Sequence, residues 1–225
     1  MRAELEHWGE WFVRTTGVDA FRFDAVKHVE AGFLRDWLHA VAARTGRPLH
    51  AVGEYWSYDV DTLAQFIAMT ERSITLFDAP LHHNFHVASA MGADYDLRTI
   101  FEGTLVQRDA AMAVTLVENH DSQPLQALES VVEPWFKPLA YALILLRRDG
   151  YPCIFHADCF GAEYSDAGND GGTYDIELAP HRFLVDRFLH ARQTHAWGNS
   201  TTTSTIRTAS AGRALAMPRI PAGWQ

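Results

Sequence analysis

The sequence predicts an α/β protein: an incomplete (β/α)8 barrel holding about strands four to eight with their helices. Three observations predict it. Five short apolar runs are each followed by a helical stretch, as parallel strands with helical crossovers require. Four or five of those runs finish on a carboxylate or a histidine, and a barrel gathers its strand ends at one rim. No run leads into G-x-G-x-x-G or G-x-x-x-x-G-K-S/T, which removes support for the other arrangement that fits, a doubly wound nucleotide-binding sheet. Five strands cannot close an eight-stranded barrel, so about three are expected to be absent from its front.

The elements follow in order. Leu5, Trp8, Trp11 and Phe12 recur near a period of 3.6 and open the chain on a helix. Val18–Phe23 is the first strand and ends in Asp24; Phe33–Ala43 is its helix. Leu49–Gly53 ends in Glu54 and leads to a helix over Val60–Met69. Ser73–Phe77 ends in Asp78, with a long loop before a helix near Leu97–Phe101. Ala113–Val117 ends in Glu118, Asn119, His120 and Asp121, and the helix Phe136–Arg147 follows. Cys153–Phe155 leads to His156 and Asp158, and a last helix covers about Phe183–Gln193.

Composition narrows the function. The chain has 225 residues, 48% of them hydrophobic, and a formal net charge of −9, which argues against a surface for nucleic acid or anionic lipid. No apolar run reaches the roughly 18–20 residues needed to cross a bilayer. The two cysteines, Cys153 and Cys159, are too few for a disulfide scaffold or a cysteine-rich zinc site and read as buried thiols. No secretory signal is visible, and the compartment, cytoplasmic or secreted, is left open.

Asp24, Glu54 and Asp121 each end a different strand, where a barrel would aim them at a common centre. Hydrolysis of a glycosidic bond needs one carboxylate as nucleophile or base and one carboxyl as acid. Arg22 lies two residues before Asp24, on the same strand face, and a cation there favours the ionised form. Glu54 lies beside Tyr55 and Trp56, and partial desolvation by such rings suits an acid. His120 offers a donor for a sugar hydroxyl. Acidic residues at strand ends also serve as loop starts and helix caps, so spacing alone leaves both readings open.

The segment VDAFRFDAVKHV (Val18–Val29) resembles the nucleophile motif of the alpha-amylase family, glycoside hydrolase family thirteen. VGEYW (Val52–Trp56) resembles its general-acid motif, and LVENHDSQP (Leu116–Pro124) the motif of its third carboxylate. The motifs stand in the family's order, with matching text in FDAPLHHNFH, VEPWFKPLAYALILLRRDGYP and HARQTHAWG, and the likeness runs from Met1 to Gly198. It is closest to liquefying bacterial amylases and their intracellular fungal relatives. The resemblance implies Asp24 as nucleophile, Glu54 as general acid/base and Asp121 as transition-state stabiliser. It implies Arg22 holding Asp24, His120 bonding the sugar at the cleaved linkage, Lys27 and His28 on the leaving side, and Trp56 against a sugar ring. The implied reaction is retaining endo-hydrolysis of alpha-1,4-glucan (starch, glycogen, maltooligosaccharides), by a monomer when full length, with carboxyl groups about 5 Å apart. The alternatives are a catalytically inactive fragment of such an enzyme, which would leave strand edges uncovered, or a transglycosylase of the same family.

Glu118 stands where the family usually has Asp, and His156-Ala157-Asp158 replaces its Tyr-Gly-Asp. Altered packing or substrate contact is expected at Glu118. The family's first motif and the domain inserted after its third strand have no counterpart. The backbone oxygen of His28 is expected as a calcium ligand, but the carboxylates completing that site belong to the insertion, and calcium takes about six to eight oxygens. The barrel portion is therefore assigned to residues 1–198, and residues 199–225 to an aberrant tail. Codons for Gly198–Gly212 can be chosen so that a shifted frame reads QQHDYFDHPHRIGW, which resembles the family and implies a frameshift or misplaced gene boundary near Gly198. Asn199-Ser200-Thr201 reads as a chance sequon. His82, His83 and His86 are expected in loop structure or sugar contact, Gly161–Gly172 as a mobile surface loop, and most tryptophans, Trp37 and Trp135 included, as packing.

Overall fold

A computed structural model describes residues 1–195; the predicted tail, 199–225, and its sequon lie outside the described residues. In order the elements are α1 (Arg2–Thr16), β1 (Ala20–Phe23), α2 (Ala31–Thr45), β2 (His50–Gly53), α3 (Val60–Met69), β3 (Thr75–Phe77) and α4 (Ala79–Met91). There follow α5 (Leu105–Arg108), β4 (Ala113–Leu116), α6 (Lys137–Leu145), β5 (Tyr151–Cys153), α7 (His156–Phe160), β6 (Ala162–Ala167), β7 (Thr173–Leu178) and α8 (Arg182–His195). The backbone gathers into two compact units.

The first unit takes Met1–Leu81, Gly103–Leu116 and Asp149–Cys153 and contains the whole five-stranded sheet. Its order is β1-β2-β3-β4-β5, and every pairing is parallel. An order that follows the chain without reversal is that of a barrel; a doubly wound sheet reverses at its switch point. Register also places the chemistry. Phe23 pairs with Gly53, so Asp24 and Glu54 leave neighbouring strands at the same level.

Helix α2 begins where the Glu30 carboxylate accepts the N–H groups of Gly32 (2.9 Å) and Phe33 (2.6 Å), and α3 where Asp59 accepts that of Asp61 (3.0 Å). Helix α1 buries Gly9 and Val13 rather than the predicted aromatic face. A Cβ on Gly9 would stand 2.5 Å from Cζ2 of Trp37, so only glycine lets α1 approach α2 this closely. Trp8 and Trp11 are exposed, although the Trp8 ring lies 6.4 Å from that of Trp37, and buried Trp37 donates its ring N–H to the Leu5 carbonyl at 2.9 Å. Trp135 is also exposed, against expectation.

Asp78 ends β3, but its carboxylate is buried and accepts the backbone N–H groups of Leu81 (3.1 Å), Leu105 (3.0 Å) and Val106 (2.8 Å). Burial pushes this carboxyl up to about 6, against the pull of those three donors. It ties β3 to the start of α5, which the sequence reading left unassigned.

The second unit takes His82–Glu102, Val117–Arg148 and Ile154 onward. Phe85, Phe136, Tyr141, Ile144 and Leu145 form its fully buried core. The expected loop around His82, His83 and His86 is the helix α4, because Pro80 falls in its first turn, where a missing N–H costs nothing. The expected helix near Leu97–Phe101 is a single 3-10 turn, Leu97–Thr99, started by Asp96. Gly161–Gly172 is not a loop: β6 and β7 form an antiparallel hairpin, closed by Gly168 N–H to the Gly172 carbonyl at 2.8 Å. In the first unit, β5 lies two residues earlier than predicted; Pro152 fits there because among the described residues β5 pairs only with β4, and its missing N–H can face away from that partner.

Asp78→Ala would leave three buried N–H groups without an acceptor. Urea melts should show a loss of about 3 kcal/mol or more; an unchanged midpoint would mean that water or a shifted side chain satisfies them.

Candidate active site

In the first unit, Arg22 Nη2 meets Asp24 Oδ1 at 2.9 Å, and the Asp24 side chain is 73% exposed. Glu54 is 7% exposed. The chain turns sharply after Asp24: Ala25 takes a left-handed φ of 46°, a conformation that a non-glycine residue holds only under constraint. The constraint is Glu54. Ala25 N–H donates to Glu54 Oε2 at 2.9 Å, Val26 N–H to the Glu54 carbonyl at 3.0 Å, and Glu54 N–H to the Phe23 carbonyl at 2.8 Å. Lys27 and His28 are exposed in the 3-10 turn Val26–His28, and Trp56 is buried with its ring 6.5 Å from that of Tyr58. The structure therefore brings Arg22, Asp24 and Glu54 together on adjoining strand ends.

His120 and Asp121 belong to the second unit. Asn119 Oδ1 accepts the N–H groups of Asp121 and Ser122, both at 2.9 Å, and this tight turn presents the pair, with His120 Nε2 3.4 Å from Asp121 Oδ2. On the far side Leu128 N–H bonds the Asp121 carbonyl and Ser130 N–H the Ser122 carbonyl, each at 3.0 Å.

Beneath the turn, Glu118 is buried. Its carboxylate accepts Val132 N–H at 3.1 Å and pairs with the Lys137 ammonium, which also pairs with Asp158. Asp158 in turn accepts the Tyr141 hydroxyl at 2.7 Å. Burial pushes the Glu118 carboxyl up to about 7 against the pull of Lys137, with Asp158 adding repulsion. Burial acts to lower Lys137, but attraction to Asp158 and Glu118 outweighs it and the net displacement is upward. Neither Lys137 nor the place of Asp158 was singled out from the sequence. The signal was there: a lone lysine opening the apolar stretch KPLAYALIL requires buried counter-charge.

His82 is the other missed anchor. Its Nδ1 faces the Val117 carbonyl at 2.7 Å and so carries the proton, and its Nε2 meets Ser130 Oγ at 2.8 Å. Burial lowers its pKa to about 4.

For calcium, His28 contributes one expected backbone oxygen, and among the described residues no group of three or more His, Cys, Asp or Glu side chains could hold a metal ion. The described residues do not fit a calcium cage, which takes about six to eight oxygens.

No protein-family model matches the chain. The cytoplasmic alpha-amylase of Escherichia coli is 52% identical over 198 residues, 88% of this chain and 40% of that protein. The alpha-amylase of Geobacillus stearothermophilus is 47% identical over 195 residues, 87% of this chain and 34% of that protein. The chain belongs to the alpha-amylase family. It spans about two fifths or less of the length of these curated relatives. Among solved structures, an Anoxybacillus alpha-amylase superposes with a TM-score of 0.61 at 19% identity, covering 87% of this chain and 43% of that one. That likeness concerns the fold: with five parallel strands in chain order, this member of the family is an incomplete (β/α)8 barrel.

The buried His82 gives a pH dependence with a definite sign. Its folded value, about 4, lies below the ordinary 6.5, so between those limits the unfolded chain binds a proton that the folded chain refuses. Stability from this group is present above pH 6.5 and is lost as the pH falls toward 4. Urea melts at about pH 7 and about pH 4.5 should show a drop that is smaller in His82→Gln than in the wild type. Equal drops would exclude His82 as the source.

Proposed function

We propose that the chain carries the catalytic carboxylates of an alpha-amylase: retaining endo-hydrolysis of alpha-1,4-glucosidic bonds in starch, glycogen or maltooligosaccharides. The observation that carries this reading is the register of β1 and β2, which sets Asp24 and Glu54 side by side. Neighbouring strands lie about 4.8 Å apart, a spacing suited to the close carboxyl pair of a retaining glycosidase, about 5–5.5 Å. Asp24, paired with Arg22, is the nucleophile that forms the glycosyl-enzyme. Glu54 is the acid that protonates the departing glycosidic oxygen and then, as base, takes a proton from the attacking water. One of its oxygens is occupied by Ala25 N–H, which leaves the other to carry the proton.

Asp121 is assigned to stabilise the positive charge of the transition state, and His120 to bond a sugar hydroxyl beside it. Lys27, His28 and Trp56 are assigned to sugars, and the His28 carbonyl to calcium in the family's complete site. The barrel portion is assigned to residues 1–198.

The test is reducing-sugar release from soluble starch by the 225-residue chain in calcium-containing buffer. Wild-type release should fall to the blank in both Asp24→Asn and Glu54→Gln. Activity that survives either substitution, or its absence from the wild type, sinks the assignment for this chain.

A further inference from the structure

Four ionisable groups of the second unit meet out of water, and the reaction proposed above uses none of them. Lys137 opens α6, Glu118 follows β4, Asp158 lies in α7 and Tyr141 is one turn along α6. The Lys137 and Glu118 side chains are 4% and 0% exposed. One ammonium faces two carboxylates, so the cluster is one negative charge in excess when both are ionised. A buried ammonium needs one counter-ion; the second carboxylate is surplus to charge balance.

The surplus group is the one beside the turn. Glu118 directly precedes Asn119, whose side chain shapes the turn carrying His120 and Asp121. Its two carboxylate oxygens are held from different segments, one by Val132 N–H and one by Lys137. The preceding carbonyl, of Val117, is held by His82. The backbone therefore enters the turn with two consecutive residues clamped, while Asp158, fixed by Tyr141, keeps Lys137 in place.

We propose that Glu118, clamped by Lys137, is a positioning residue that fixes the turn presenting His120 and Asp121. The proposal rests on the reading of Asp121 as the third carboxylate of the reaction. It separates position from stability. Glu118→Gln leaves Lys137 paired with Asp158, so the cluster becomes neutral rather than unbalanced. It also removes a group whose folded value, about 7, stands above the ordinary 4.5. Between those values the folded chain holds a proton that the unfolded chain releases, so wild-type stability from Glu118 falls as the pH rises through that window. The groups facing Glu118 there are Lys137, Asp158, Tyr141 and Tyr164, and Lys137 in turn feels His82.

The experiment pairs kinetics with amide exchange on the full chain. In Glu118→Gln, kcat on a maltooligosaccharide should fall about ten- to a hundredfold at unchanged KM. The Asp121 and Ser122 amides should exchange at least about tenfold faster, while sheet amides hold and the urea midpoint at about pH 8 stands at or above that of the wild type. Glu118→Asp, which keeps the charge, should restore both readouts toward wild type. Wild-type kcat and wild-type turn protection in Glu118→Gln would overturn the proposal, as would protection lost uniformly through the chain. If Glu118→Gln does not fold, Tyr141→Phe loosens Asp158 with all three charges intact and should speed the same two amides; unaltered exchange overturns the proposal. A wild-type chain that releases no sugar defeats the reading of the reaction, and exchange at the turn then decides the positioning role alone.

Discussion

The ammonium of Lys137 cannot remain charged out of water without partners, and much of the second unit is arranged to supply them. The desolvation of one buried ion costs several kcal/mol. Glu118 and Asp158 offset it from segments about twenty residues to either side in sequence, and Tyr141 and Val132 fill remaining positions on the two carboxylates. Because each partner comes from a separate segment, satisfying the charge also fixes the relative placement of β4's exit, α6 and α7. This is the route by which an apolar helix with one lysine dictates the path of a loop outside it.

Glu54 apart, the carboxylates that follow the strands divide into two physical kinds, although they look alike in sequence. Asp78, Glu118 and Asp158 are buried and spend their oxygens on N–H, ammonium and hydroxyl groups of their own unit. Asp24 keeps its side chain largely open, held by one guanidinium, and Asp121 is partly exposed on a turn built by its neighbour. A buried carboxylate with several donors is a structural tie, whereas an open one with a single cation is available to a ligand. What separates the two kinds is the number of donors that arrive from distant segments.

That division explains what could be read in advance. The five strands and most of their crossover helices were legible because apolar period and strand-end residues are local signals, as Val60–Met69 shows residue for residue. The motif residues Asp24, Glu54 and Asp121 stood out by resemblance, and their roles are proposals that rest on it. The fate of Asp78 was not, because two of its three donors lie at Leu105 and Val106. Helix α4 was hidden by reading Pro80 as a breaker when its position in the first turn makes it harmless. The hairpin Ala162–Leu178 was hidden by acidic and glycine-rich composition, whose strand character comes from cross-strand pairing such as Ser165 with Asp175 rather than from propensity. The buried face of α1 was misplaced because a glycine carries no hydrophobic signal, and only packing reveals that Gly9 is the point of closest approach.

At the strand ends of the first unit the proposed site and backbone strain meet. Ala25 holds a left-handed φ that costs on the order of 1 kcal/mol. It is kept because both N–H groups of the turn, those of Ala25 and Val26, end on Glu54. The backbone that follows the proposed nucleophile is thus folded onto the proposed acid. A side chain that merely lay near Asp24 would be free to turn away. Glu54 holds one of these N–H groups with its carboxylate and the other with its backbone carbonyl, so the turn beside Asp24 is tied to Glu54 as well as to the sheet. Replacing the Glu54 side chain by one without an acceptor therefore strips Ala25 N–H of its partner beside Asp24 as well as removing the proposed acid.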